Sequence, residues 1–242
     1  MPTTERTAHP PSPPQTCVPL KRIHCLWELY HTARTDSKFA AAVSHSALPA
    51  FTTALAEQFD DVQEALGSID LRDAKASAPR DKEMILRAVE DSIGADTFNA
   101  LTTRLMRAAI ADEAREIVTA LGPEERASRP SLVQSTAQLL HEAGDLTRAE
   151  PFYREALEAL RARPFDKSTW EATVLATCGT MSSLATLLQA RGDLNGAEAL
   201  MREELQYSRD ERGDRHPVWA MCVLMRYMSI LLGLAAGSSH TL

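Results

Sequence analysis

The chain has 242 residues, a net charge of −7, and only 5% aromatic against 44% hydrophobic residues. That length holds one large or two small domains with a buried core. The acidic balance argues against a nucleic-acid partner, which needs a clustered basic surface, and scarce aromatics suit Ala- and Leu-rich helices better than a β-sandwich.

From the N-terminus, residues 1–19 form a Pro-, Thr- and Ser-rich tail that reads as disordered. Its Pro10, Pro11, Pro13 and Pro14 stand where a signal peptide needs an apolar core, so a cytoplasmic location is expected. A helix is predicted from Lys21 to Arg34, with Ile23, Leu26, Trp27 and Tyr30 at helical spacing. Phe39 to Val43 reads either as a short strand or as more helix. Leu48 to Leu66 is predicted as one helix with Phe51, Leu55, Phe59, Val62 and Leu66 on one stripe, followed by a polar link. Asp81 to Ile93 is the next helix, stopped by Gly94. Asp96 is then expected to cap a long helix that ends at Gly122-Pro123, with Glu124 to Pro130 as a joint. Residues 20–122 are thus a helical segment, and 130–242 a separate array.

That array rests on an internal repeat. Leu139-Leu140-His141-Glu142-Ala143-Gly144-Asp145-Leu146-Thr147-Arg148-Ala149-Glu150 recurs as Leu187-Leu188-Gln189-Ala190-Arg191-Gly192-Asp193-Leu194-Asn195-Gly196-Ala197-Glu198. The offset is a constant 48 residues, and a period of that order with helical patterning indicates stacked helix pairs. In each copy the glycine can end one helix in the left-handed region, and the aspartate can cap the next. Ala149 and Ala197 are expected where paired helices approach closely, with Tyr153 and Met201 as the following knobs.

The pattern Gly-Asp-Leu-x-x-Ala-Glu-x-x-x-Arg-Glu, followed by Gly213-Asp214-Arg215-His216-Pro217, resembles tetratricopeptide repeats of the kinesin light chain type. A third first helix is expected from Val218 to about Leu234, giving two full repeats plus a truncated third. The resemblance implies an all-α helix-turn-helix solenoid that binds a peptide or partner protein on its concave face. By repeat register that face includes Gln134, Gln138, His141, Ser182, Thr186, Gln189 and Arg226. The paired asparagines usual in kinesin light chain repeats are replaced here by Gln134-Ser135, Ser182-Ser183 and Arg226-Tyr227. More than about 60% of residues are expected to be helical, against the usual third.

His24-Cys25-Leu26-Trp27-Glu28-Leu29 resembles the Trp-Cys-Leu-x-Glu-Leu helix of Toll/interleukin-1-receptor (TIR) domains, especially TIR-like modules joined to repeat arrays in microbial and algal signalling proteins. Ser68-Ile69-Asp70, Pro79 to Glu83 and Gly94 with Phe98 to Leu101 look like the segment behind that module. In NAD-cleaving members the glutamate of this helix holds the ribose hydroxyls, which by resemblance is Glu28. Here His24 replaces the usual Trp, and the expected strands and phosphate loop do not precede the helix. The segment therefore reads as a TIR-like remnant with Glu28 a solvated helix residue. The alternative is a truncated or degenerate TIR-like NAD hydrolase or signalling protein.

No further chemistry emerges. His31, His45, His141, His216 and His240 lack metal-ligand spacing, and Cys17, Cys25, Cys178 and Cys222 lack a Cys-x-x-Cys pair. No glycine-rich phosphate loop occurs, and no apolar run approaches the length that spans a bilayer. The sequence thus points to a non-enzymatic scaffold without cofactor or metal, without a nucleic-acid or membrane partner, and with a protein or peptide ligand.

Overall fold

The computed structural model describes residues 22–35, 39–164 and 166–212. Of these, 77% are helical, in the ten helices detailed below. No strand occurs among the described residues; the β-like feature among them is a parallel bridge between Arg22 and Lys75. The predicted tail, Gly213 to Pro217, the third first helix and Arg226 lie outside the described residues. The described residues fall into two compact units, one comprising those up to 39, 43–54 and 60–106, the other 40–42, 55–59 and those from 107 to 212.

In the first unit, α1 (Ile23–Arg34) buries Ile23, Leu26, Leu29 and Tyr30 along one stripe, and the Tyr30 ring meets Phe98 at 5.1 Å between centroids. Phe39 to Val43 is irregular, neither strand nor helix. The single helix expected from Leu48 to Leu66 is two, α2 (Leu48–Glu57) and α3 (Phe59–Gly67), parted at Gln58. Asp60 and Asp61 fall in the first turn of α3, where the positive end of the helix dipole favours acids that a helix interior would not. The polar link is held by Asn99, which accepts from the Leu71 N–H at 2.9 Å and donates to Asp70 at 3.0 Å.

Pro79 opens α4 (Pro79–Glu90) at a position where its missing N–H costs nothing. This helix packs on α1. Gly94 sits at φ +76°, and its N–H reaches back to the Val89 carbonyl at 3.0 Å. The long helix α5 (Ala95–Ala120) starts two residues earlier than a cap at Asp96 would place it, so Asp96 lies inside its first turn rather than capping it, and pairs with Arg72 at 2.7 Å. The unit boundary falls within α5.

In the second unit the expected joint contains a short helix, α6 (Pro123–Ser128), whose Arg126 donates to the Leu121 carbonyl at 2.8 Å and to Glu155 at 2.7 Å. Two helical hairpins follow, α7 (Pro130–Glu142) with α8 (Leu146–Arg161), and α9 (Trp170–Ala190) with α10 (Leu194–Arg212). Each helix packs on the next, and the two first helices, α7 and α9, also touch. This stacking makes one continuous core from hairpins that could not bury their apolar faces alone. The fold is an all-α repeat architecture.

Candidate functional site

The two hairpin turns match bond for bond. Gly144 and Gly192 stand at φ +87° and +84°. In the first copy the Gly144 N–H donates to the His141 carbonyl and the Asp145 N–H to the Leu140 carbonyl, at 2.9 and 2.8 Å. In the second, Gly192 donates to Gln189 and Asp193 to Leu188, at 3.0 and 2.9 Å. This is the six-to-one and five-to-two pairing of a glycine helix terminus. The aspartates then cap the second helices, Asp145 accepting from the Arg148 N–H and Asp193 from the Gly196 N–H, both at 2.9 Å.

The remaining signature residues have matching duties. Ala149 and Ala197 have no exposed surface. Glu150 pairs with Arg154 and Glu198 with Arg202, each four residues on along the helix, and Glu150 also receives Arg191 from the next turn. A glutamate preceding an arginine by four residues is the favourable order for a helix.

Burial pushes the Asp145 carboxyl up, but the Arg148 N–H and guanidinium together hold it below the ordinary 3.8. For Asp70 the Arg72 N–H is the main cause of the same downward shift. A carboxyl with a lowered folded-state pKa stabilises fully above its unfolded value and loses that contribution as pH falls through the folded one. Thermal melts should therefore show stability falling below about pH 3.8 as these groups take up protons. Asp145→Asn should flatten that fall; an unchanged acid limb would remove the cap from the account.

Of the residues expected on the first-helix face, Gln134, Gln138, His141 and Gln189 are partly exposed and Thr186 is exposed. Gln138 donates to Glu142 at 3.1 Å. Burial lowers the His141 pKa, which favours its neutral form. Ser182 departs from the expectation. It does not point away from its second helix but is buried, and its hydroxyl meets both oxygens of Glu204 on α10 at 2.8 Å.

Its neighbour Ser183 is partly exposed and lies beside the buried Tyr153 phenol. The cause is a size exchange between copies. Gln134 and Ala156 in the first hairpin correspond, 48 residues on, to Ser182 and Glu204. The long polar side chain has moved from the first helix to the second, and the serine makes room for it. Sequence reasoning missed Glu204, although its alignment with the buried Ala156 was a signal.

Glu28 is exposed on α1, in a region without a strand among the described residues. Its backbone carbonyl accepts from Thr32 at 2.9 Å. No group of three potential metal ligands occurs among the described residues, and no helix among them is long and apolar enough to cross a membrane.

Residues 177–218 match the family model described as tetratricopeptide repeat. The match takes in most of α9, the Gly192-Asp193 turn and α10. The first hairpin lies outside it but repeats its turn bonds and capping. No curated protein matches the chain significantly.

Proposed function

We propose that this chain is an interaction module of the kinesin light chain type, without enzymatic activity, which holds a peptide segment of a partner protein along the face formed by its first helices. The observation that carries this reading is the pair of stacked hairpins whose neighbouring first helices present amides and hydroxyls at helical spacing. Gln138 and Gln189 can each bond an extended backbone, which offers a donor and an acceptor at every residue, and Thr186, whose own proton goes to the Ser182 carbonyl at 2.9 Å, can still accept. Gln134 and His141 extend the face on α7, and Arg226 would extend it onto a third first helix. Ser182 is left out of the contact set because its hydroxyl is occupied by Glu204.

The test uses peptides selected on the full chain from a random displayed library. Gln138→Ala combined with Gln189→Ala should weaken their binding while changing stability by no more than about 0.5 kcal/mol per site. Binding that survives both changes, with an unaltered melting temperature, would move the ligand to another face.

The TIR-like resemblance of the first unit is read as a remnant without hydrolase activity. A lone exposed carboxylate has no means of excluding water or orienting a nucleotide. Purified protein should consume no NAD, and Glu28→Ala should leave the melting temperature unchanged. Turnover abolished by that substitution would instead make the chain an NAD hydrolase.

A further inference from the structure

The second hairpin turn departs from the first at two neighbouring residues. Thr147-Arg148 of the first copy stand, 48 residues on, as Asn195-Gly196. Of the asparagines in the chain, Asn99 and Asn195, only Asn195 precedes a glycine. Asn195 is exposed in the first turn of α10, and its side-chain amide completes no hydrogen bond among the described residues. Asn99 is the opposite case. Its amide is held at both ends, by the Leu71 N–H and by Asp70, and Ala100 follows it inside α5.

The Gly196 nitrogen is also held less firmly than one in a helix interior. The first N–H groups of a helix have no partner in its backbone ladder. The ladder of α10 begins at Ala197, whose N–H reaches the Asp193 carbonyl at 3.1 Å. Gly196 is held instead by the Asp193 side chain, which accepts its N–H at 2.9 Å.

The fold does not demand glycine here, because Arg148 makes the same capped contact in the first copy with a side chain in place. A Cβ at Gly196 would meet the Asp193 carboxylate, with Cγ at 2.9 Å. That group is the end of a flexible side chain and can turn aside.

We propose that Asn195 is a modification site, at which the chain deamidates itself when the first turn of α10 opens. The Gly196 nitrogen attacks the side-chain carbonyl carbon of Asn195, forming a C–N bond and closing a cyclic imide. The bond from that carbon to the side-chain nitrogen breaks, and this nitrogen leaves as ammonia with the proton that Gly196 gives up. Water then opens the imide to aspartate or isoaspartate.

Glycine favours the ring because it has no Cβ to crowd the attacking nitrogen and a freer backbone. The Asp193 cap is the brake, since it holds that N–H in its helical place. Isoaspartate lengthens the backbone by one methylene between residues 195 and 196. The N–H groups of Gly196 and Ala197 then no longer fit Asp193, and the start of α10 loosens.

The test incubates the full chain at mildly alkaline pH, digests it at intervals and maps the fragments by mass, with isoaspartate read by enzymatic methyl-ester formation. The fragment containing Asn195 should exchange its amide NH2 for OH while the fragment containing Asn99 stays intact. Gly196→Arg, which copies the first hairpin, should slow conversion about tenfold or more. Asp193→Ala should speed it about fivefold, whereas Asp193→Ser, which caps without a carboxylate, should convert at the wild-type rate. Hydrogen exchange at residues 196–198 should quicken in the converted fraction.

An intact Asn195 fragment, while a synthetic peptide of residues 191–200 converts, would overturn the proposal, because the folded turn would then protect the site completely. Conversion of Asn99 alongside Asn195 would overturn the local opening, since only wider unfolding frees both amides. Slower conversion in Asp193→Ala would overturn the brake and make the carboxylate the base that takes the Gly196 proton. Unchanged exchange after conversion would overturn the loosening of α10.

Discussion

Ala149→Glu is expected to unfold the first hairpin. Ala149 has no exposed surface, and it stands one turn beyond the Asp145 cap, where α8 must come close to its neighbours. A glutamate there would place a carboxylate in the core with no cation built to meet it. The cost of such a charge is about 4 kcal/mol or more, against a total stability of roughly 5–15 kcal/mol for a whole domain.

Because hairpins in a stack support one another, protection of α7 and α9 from hydrogen exchange should fall with that of α8. Ala197→Glu should act the same way on α10, since Ala197 is equally buried. Ala199→Glu, at an exposed position on the same helix, is the control and should shift stability by no more than about 0.5 kcal/mol. If Ala149→Glu melted like the unaltered chain, the register that aligns the two copies would be wrong, and the first-helix face drawn from it would be lost as well.

What the sequence made legible follows from where the physics is local. A glycine at positive φ, an aspartate capping the third N–H beyond it, and a glutamate paired with an arginine four residues on are interactions within one turn of helix. They leave a fixed spacing in the chain, so Gly144-Asp145 and Gly192-Asp193 could be read directly. The all-α fold was legible for the same reason.

Features decided by contacts between helices were not legible. Ser182 and Gln134 hold the same register position, yet one is buried and the other partly exposed, because Glu204 and Ala156 differ across the hairpin. The break at Gln58 lies inside an unbroken apolar stripe; only the acids at Asp60 and Asp61 hinted at a second helix start. The Gly122-Pro123 break ends α5 as expected, yet α6 fills the segment that had read as a joint.

Tyr153→Ala and Tyr153→Phe together should separate the two things this residue does. Its ring is the buried knob that Met201 supplies in the second copy, and it meets His141 edge-on at 6.1 Å. Truncation to alanine empties that space and leaves α7, α8 and α9 unable to collapse fully around it. The expected loss is about 3–5 kcal/mol, seen as a lower melting temperature and faster hydrogen exchange across both hairpins.

Phenylalanine keeps the ring and removes only the hydroxyl. Oη lies beside Ser183 without completing a well-formed hydrogen bond, so its removal should change stability by no more than about 1 kcal/mol. Should Tyr153→Phe lower the melting temperature by the worth of a buried hydrogen bond, the phenol is satisfied within the fold by Ser183 beside it.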